Sequence, residues 1–143
     1  MTGISPAAVR SAPRVSRGPV LSGVLVGVLQ GATPLALPWL DPTTVLALGL
    51  PFIAAVYVGF AVADGRTHVL VVESAVASAF VLVAVAAVPG RPWLIVAGLL
   101  AHALKDLWQH RTQFVRGTRW WPPFCAAVDV VAAAVITLVV LSR

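Results

Sequence analysis

A histidine and an aspartate one helical turn apart are the residues of this sequence best suited to chemistry. His102 and Asp106 are four residues apart and Gln109 follows three residues later. A helix would therefore place these side chains along one stripe. His110 completes an H-x3-D-x3-H spacing, although on a helix it points about 80° away from His102. Imidazole and carboxylate can form half of a metal site, so the pattern allows a divalent metal bound by His102, Asp106 and His110, with Glu73 or Asp129 from a neighbouring helix completing the site.

Two further acids, Glu73 and Asp129, lie inside long apolar segments. At the centre of a membrane helix a charged side chain costs about 2.5–3.5 kcal/mol, so that such residues usually mark function. We expect them to join His102 and Asp106 as catalytic residues, with the histidine and a carboxylate exchanging protons with a substrate. The same residues also allow a proton or ion path, or hydrogen bonds between helices that only stabilise the fold.

An aromatic and basic segment precedes the last apolar segment of the chain. It reads Arg-Trp-Trp-Pro-Pro-Phe, and it predicts an interfacial anchor that leads into a helix started by proline. The alternative is the rim of a substrate pocket, because these side chains can hold the chain and the anionic head of an amphiphile. The candidate substrate-binding residues are Arg119, Trp120, Trp121 and Phe124.

Several other polar residues have simpler interpretations. Lys105 and His110 are interpreted as positive residues near a membrane surface at the end of a helix. Asp64 is followed by glycine and is interpreted as part of a tight turn. Cys125 is the single cysteine; we interpret it as an apolar packing residue, with metal ligation as the alternative.

Composition determines the class of protein that must position these residues. The chain has 143 residues, of which 59% are hydrophobic and 10% charged, and its mean hydropathy is +0.95. Soluble domains carry about 25% charged residues. A small soluble fold cannot bury so much apolar surface, so the composition indicates an integral membrane protein.

Five apolar segments, separated by short Pro-, Gly- or charge-containing stretches, have lengths close to the roughly 20 residues that cross a bilayer as a helix. Strands are disfavoured because the segments do not alternate polar and apolar residues. The predicted fold is an all-α, polytopic bundle of five transmembrane helices forming a single domain over residues 18–143. The helices are expected at about 19–40, 44–63, 69–88, 93–110 and 122–141.

The distribution of arginines predicts the orientation. Residues 1–17 form a flexible basic tail with three arginines and no acid. If this tail is cytoplasmic, the inner segments also hold Arg66, Arg111, Arg116 and Arg119, and the outer segments only Arg91 and Arg143. The positive-inside rule therefore favours an N-in, C-out orientation.

Partners are indicated by a glycine repeat and by the charge pattern. Gly23, Gly27 and Gly31 share one helix face, which allows close approach of another helix. The contact is either a homo-oligomer interface or a second helix of the same chain. Membrane lipids are expected partners. Nucleic acid is not, because the basic residues behind the net charge of +5 are dispersed.

The last third of the sequence resembles a family of uncharacterised small bacterial integral membrane proteins. The resemblance is carried by His102, Asp106 and His110, followed by the Trp-Pro-Pro-Phe-Cys segment 121–125 and then Asp129. In that pattern the fourth helix ends in paired histidines, whereas this chain has Gln109 before His110. The resemblance implies a multi-pass protein of the bacterial inner (plasma) membrane and no particular activity.

These patterns favour a membrane-embedded enzyme that acts on a lipid or isoprenoid-like substrate through a cytoplasmic-side pocket of His, Asp and Glu. The alternatives are a small oligomeric proton- or cation-coupled transporter and an accessory subunit of a larger membrane complex. The sequence contains no Walker loop, HExxH motif, nucleophile elbow or cysteine cluster. Their absence argues against ATP hydrolysis, classical proteolysis and thiol-ligated zinc.

Overall fold

The computed structural model describes residues 17–142, which form α-helices joined by short connections and contain no strand. The predicted all-α class is therefore confirmed for this part of the chain. The predicted tail lies outside the described residues except for its last residue, Arg17. The helices are α1 (Arg17–Gly31), α2 (Thr33–Ala36), α3 (Pro42–Ala47), α4 (Gly49–Asp64), α5 (Thr67–Ala87), α6 (Pro92–Thr112) and α7 (Trp121–Leu141).

Within residues 17–142, three helical segments are long and apolar enough to cross a membrane. They are Pro42–Asp64, which combines α3 and α4, then Thr67–Ala87 and Trp121–Leu141. Helix α6 is as long as the last two, but its lysine, aspartate and histidines lower its hydropathy. Helix α1 has 15 residues, or about 22 Å of helix. The architecture is that of a membrane protein with at least three candidate spans.

The first predicted helix differs from the observed one. Residues 19–40 were expected to form one span, but α1 ends at Gly31 and only the four-residue α2 follows before α3. Pro34 and Pro38 interrupt this stretch, because proline has no backbone N–H to continue a helix. The second helix starts earlier than expected, at Pro42, where the Asp41 carboxylate caps it by accepting a 2.7 Å hydrogen bond from the Thr44 N–H.

Helix α6 is apolar outside and polar inside. It buries its histidine, aspartate and glutamine side chains completely or almost completely, whereas leucines of its other face are exposed. A helix in water would show the opposite arrangement. The buried polar residues are His102, Asp106 and Gln109, and the exposed apolar ones include Leu100, Leu104 and Leu107.

The glycine face of α1 packs against α7 of the same chain. A Cβ added at Gly23 would lie 2.3 Å from the carbonyl oxygen of Phe124, and one at Gly27 would lie 2.6 Å from that of Val128. The two partners expected for this face were a second copy of the chain and another helix of the same chain. In the structure it contacts a helix of the same chain, α7. The next glycine, Gly31, meets Val135. The contacts therefore move towards the C-terminus along both helices together, which means that α1 and α7 run parallel.

The α4–α5 turn and the α6–α7 loop are joined by Asp64 and Arg66. The Arg66 guanidinium donates to Asp64 at 2.8 Å and to the Phe114 carbonyl oxygen at 2.6 Å, and Asp64 accepts a bond from the Arg116 N–H at 2.8 Å. The hydrogen-bonded Asp64 carboxylate raises the pKa of Arg66. Asp64 therefore has the expected turn role, and it also holds two connections at the same end of the bundle.

Candidate functional site

Two helices, α6 and α7, bring together a histidine, two aspartates and a cysteine in the interior of the bundle. One ligand-type atom from each of these four side chains lies within 4.8 Å of the others. All four are buried, with at most 2% of each residue exposed. We call this set the H/D/C/D group: His102, Asp106, Cys125 and Asp129.

The spacing of these residues explains why they meet. His102 and Asp106 are four residues apart on α6, and Cys125 and Asp129 are four residues apart on α7. Side chains at this spacing lie one above the other on the same helix face. Because α6 and α7 are joined by a short loop and pack along each other, the two pairs face one another.

His102 is the centre of the H/D/C/D group. Its Nδ1 lies 2.8 Å from an oxygen of Asp129 and 3.4 Å from an oxygen of Asp106. Its ring also makes an edge contact with Phe80, with 5.1 Å between ring centroids. The other ring nitrogen, Nε2, is buried without a hydrogen-bond partner, as is the second carboxylate oxygen of Asp129. The group therefore has unused acceptor or donor capacity in the buried interior of the bundle.

Tyr57 of α4 belongs to the site, although the sequence analysis did not select it. Its hydroxyl donates to Asp106 across 2.6 Å, and its side chain is fully buried. Tyr57 is the single tyrosine of the chain and lies in the middle of an apolar segment. A buried tyrosine usually needs a hydrogen-bond partner, and this requirement is the signal that could have found it.

Glu73 and Lys105 form an ion pair beside the H/D/C/D group. The Lys105 ammonium lies 2.8 Å from a Glu73 oxygen and 3.5 Å from the centre of the Tyr57 ring. Glu73 is 1% exposed and the Lys105 side chain 13% exposed. The interpretation of Lys105 as a membrane-surface residue was wrong, because the lysine turns inward to neutralise a buried acid. Glu73 therefore lies in the site region but is paired with Lys105.

Gln109 and His110 lie outside the H/D/C/D group. The Gln109 side chain donates to the Val115 carbonyl oxygen at 3.1 Å and so supports the α6–α7 loop. His110 is 9% exposed and lines a groove on the other side of α6. It is eight residues from His102, which corresponds to about 12 Å along a helix and an 80° change of direction. Of the expected ligands His102, Asp106 and His110, the structure therefore brings the first two together and places His110 apart from them.

The aromatic segment forms a patch at the start of α7. The rings of Trp121 and Phe124 are 5.1 Å apart, Trp120 contacts both, and Trp121 also packs 5.5 Å from Phe60 of α4. Trp120 and Arg119 are exposed, whereas Trp121 and Phe124 are half-buried. The patch has an exposed rim and a packed base, and its last residue directly precedes Cys125.

A groove of about 380 Å³ lies along α1, α6 and α7. Its wall is almost wholly apolar, with His110 as its titratable residue. Ala103 and Ala126 are part of this wall, and they directly follow His102 and Cys125 in the sequence. The groove is lined by Val20, Val24, Ala103, Leu107, His110, Pro123, Ala126, Ala127, Val130 and Val131.

Comparison with known proteins gives no match: no protein family, curated protein or solved structure is significantly similar to this chain.

Proposed function

We propose that this chain is a multi-pass protein of the bacterial inner membrane that binds a cation at the H/D/C/D group and carries it across the bilayer. The proposal includes five membrane passes. Helix α6 supports a fourth pass because its exposed face is leucine-rich, and α1 supports a fifth because it exposes Leu21, Leu25 and Leu29 to the surroundings. An odd number of alternating passes also requires the first and last helices to be parallel, as α1 and α7 are.

The orientation N-in, C-out is supported by the two ends of the bundle. The hydrogen-bonded α4–α5 turn and α6–α7 region are at one end, and they hold Arg66, Arg111, Arg116 and Arg119. The opposite α5–α6 turn holds Arg91. The arginine-rich end would be cytoplasmic under the positive-inside rule.

The observation that carries the proposal is an excess of buried acids. Glu73, Asp106 and Asp129 are each at most 1% exposed, and Lys105 is the only permanently cationic side chain that pairs with them in the described residues. Lys105 neutralises Glu73. Two carboxylates therefore share His102, and an isolated buried carboxylate is strongly disfavoured. A bound cation would stabilise this arrangement.

The depth of the group is suited to a carrier. His102 is ten residues from each end of α6, or roughly 15 Å of helix from either end. Asp129 is about 12 Å from the start of α7. In membrane carriers the ion site commonly lies near the middle of the bilayer, so that each side of the membrane can reach it in turn. A chain of this size would need an oligomer to enclose a path, and a second copy would have to pack on a surface other than the glycine face.

A second candidate function, the lipid- or isoprenoid-directed enzyme, is favoured by the groove along α1, α6 and α7. An acyl chain could lie in it, and two of its lining residues, Ala103 and Ala126, directly follow His102 and Cys125 in the sequence. His102 would then act as acid or base with a carboxylate. This candidate requires the group to open, because His102 and both aspartates are at most 1% exposed.

The carrier proposal is tested in liposomes that contain the purified protein and an internal cation indicator. Gradients of Zn²⁺, Mn²⁺, Na⁺ and H⁺ are imposed in separate experiments. We expect at least one cation to enter faster than in protein-free liposomes, and we expect Asp129→Asn to reduce this flux to the protein-free level. The matched control is Asp41→Asn, because Asp41 caps α3 outside the group and asparagine is an equally good cap.

Two results would contradict the proposal. One is a folded wild-type protein that carries none of these cations above the protein-free level. The other is equal flux in the wild type and Asp129→Asn. A lipid product that forms with the wild type, and that disappears when Leu107→Trp fills the groove, would instead support the enzyme.

A further inference from the structure

The H/D/C/D group offers the donor set of a transition-metal site. It contains one imidazole nitrogen, one thiol sulfur and two carboxylates, all within 4.8 Å of one another. Zn²⁺ and neighbouring first-row ions bind these donors with four-coordinate geometry, whereas Mg²⁺ and Ca²⁺ prefer oxygen alone. The mixture of nitrogen, sulfur and oxygen therefore favours a divalent transition metal over a hard cation.

The distances around His102 fit such a site. Ligands about 2.0 Å from a metal at tetrahedral angles are about 3.3 Å apart. The Nδ1 atom is 2.8 Å from Asp129 and 3.4 Å from Asp106, on either side of that value. A small movement of side chains would let all three surround one ion.

Both aspartates of the group have a carboxylate oxygen that is available to a metal. The Oδ1 atom of Asp129 is buried without a hydrogen-bond partner, and the Oδ2 atom of Asp106 has no hydrogen-bond partner beyond its 3.4 Å contact with His102 Nδ1. Leaving such groups unsatisfied in an apolar interior is costly, and each can coordinate a metal. The H/D/C/D group thus combines several donors with unused coordinating capacity.

The surroundings resemble the outer shell of a metal site. Tyr57 fixes the Asp106 carboxylate through a 2.6 Å hydrogen bond, and Phe80 packs against the His102 ring. Hydrogen bonds to ligating carboxylates and an apolar shell are common around bound metals, where they orient the ligands. The paired Glu73 and Lys105 leave the charge of this shell close to neutral.

We propose that His102, Asp106, Cys125 and Asp129 bind one divalent transition metal between α6 and α7. The inference rests on the proposed cation-binding function and narrows its cargo to a Zn²⁺-like ion. In this site Asp129 has the completing role that the sequence allowed for it, and Cys125 takes the place of His110, which lies outside the group.

Cobalt(II) is the probe for this site, because thiolate ligation gives Co²⁺ a charge-transfer absorption in the near ultraviolet. The full-length protein is reduced, freed of any affinity tag and titrated with Co²⁺ in nanodiscs. We expect one Co²⁺ per chain, the thiolate band, and displacement by Zn²⁺. In Cys125→Ser the thiolate band should be lost. In Asp129→Asn the Co²⁺ affinity should fall by more than about 100-fold, because mutating even the residues that only support the ligands lowers metal affinity by about 10–100-fold.

The control variant is His110→Gln, which removes a histidine that lies outside the H/D/C/D group. Its spectrum and affinity should equal those of the wild type. Circular dichroism of each variant separates loss of metal from loss of fold. The inference is overturned if folded wild type binds no Co²⁺ or Zn²⁺, or if Cys125→Ser keeps the full wild-type spectrum.

The two proposals fail in different ways. Flux of Na⁺ or H⁺ that depends on Asp129, without Co²⁺ binding, would contradict the metal site and support the carrier. Tight Co²⁺ binding at Cys125 without flux of any cation would support the metal site and contradict the carrier.

Discussion

Tyr57 donates its hydroxyl hydrogen to Asp106 across 2.6 Å, from a residue 49 positions earlier in the chain. This bond connects α4 to the H/D/C/D group, which otherwise belongs to α6 and α7. The face of the same ring lies 3.5 Å from the Lys105 ammonium, which pairs with Glu73 of α5. One side chain therefore links the acid-rich group to the neighbouring ion pair, and four helices contribute to the site.

Removing this hydroxyl should weaken both the fold and the cation site. In Tyr57→Phe, a buried Asp106 oxygen loses its donor, which should cost about 1–3 kcal/mol of unfolding free energy. Because the Asp106 carboxylate is then no longer held in place, the Co²⁺ affinity should also fall by about 10–100-fold. Thermal unfolding in detergent and a Co²⁺ titration measure the two effects. Trp93→Phe, which changes an exposed aromatic residue at the far end of α6, should leave both unchanged.

The ion pair beside Tyr57 gives a second prediction. Lys105→Met should destabilise the protein by about 3–5 kcal/mol, because it leaves Glu73 buried without its cation. Adding Glu73→Gln should restore most of the lost stability, since the uncompensated charge is then gone. A double-mutant cycle by thermal unfolding measures this coupling. Purely additive losses in the double variant would show that the two side chains act independently.

Much of the fold follows from the sequence because hydrophobic length and charge placement act locally. The expected helices at 69–88, 93–110 and 122–141 lie within two residues of α5, α6 and α7 at each end. The first helix was less predictable. Two prolines in an apolar segment can kink a membrane helix or end it, and here Pro34 and Pro38 accompany a helix that ends at Gly31.

The site was predictable only in part. Spacing on α6 alone selected His102 and Asp106, and their depth in apolar segments selected Asp129 and Glu73. The roles of Cys125 and Tyr57 depend on which face of α7 and α4 turns inward, and that is decided by packing between helices. Lys105 is a further example. Its side chain turns inward because it pairs with Glu73, which lies 32 positions earlier, and no local sequence pattern reveals that partner.

The α1–α7 contact gives a third prediction, with a matched control in the chain. Gly27→Ala places a Cβ 2.6 Å from the Val128 carbonyl oxygen, so the helices must separate, at a cost of about 1–3 kcal/mol. At Gly59, also within a helix, an added Cβ meets nothing within 4 Å. Gly59→Ala should therefore be neutral or stabilise by about 0.5–1 kcal/mol. In thermal unfolding, Gly27→Ala should lower the melting temperature, whereas Gly59→Ala should leave it unchanged or raise it.

Equal melting temperatures for Gly27→Ala and Gly59→Ala would show that α1 does not pack on α7 in the membrane. The glycine face would then be available to a second copy of the chain. Cross-linking between cysteines placed at Val24 and Ala127 on a Cys125→Ser background distinguishes these cases. A bond within one chain supports the observed packing, and a covalent dimer contradicts it.

The last prediction concerns the protons displaced by a metal. With His102 protonated between two carboxylates and Cys125 as a thiol, the H/D/C/D group has a net charge of −1. With a divalent metal, neutral imidazole and thiolate, its charge is again −1, so that two protons must leave for each metal bound. Adding Co²⁺ to the wild type in dilute buffer at neutral pH, with a pH indicator, should release about two protons per ion bound. Cys125→Ser, which cannot form a thiolate, should release about one. Metal binding without proton release in the wild type would show that the group is already deprotonated before the metal binds.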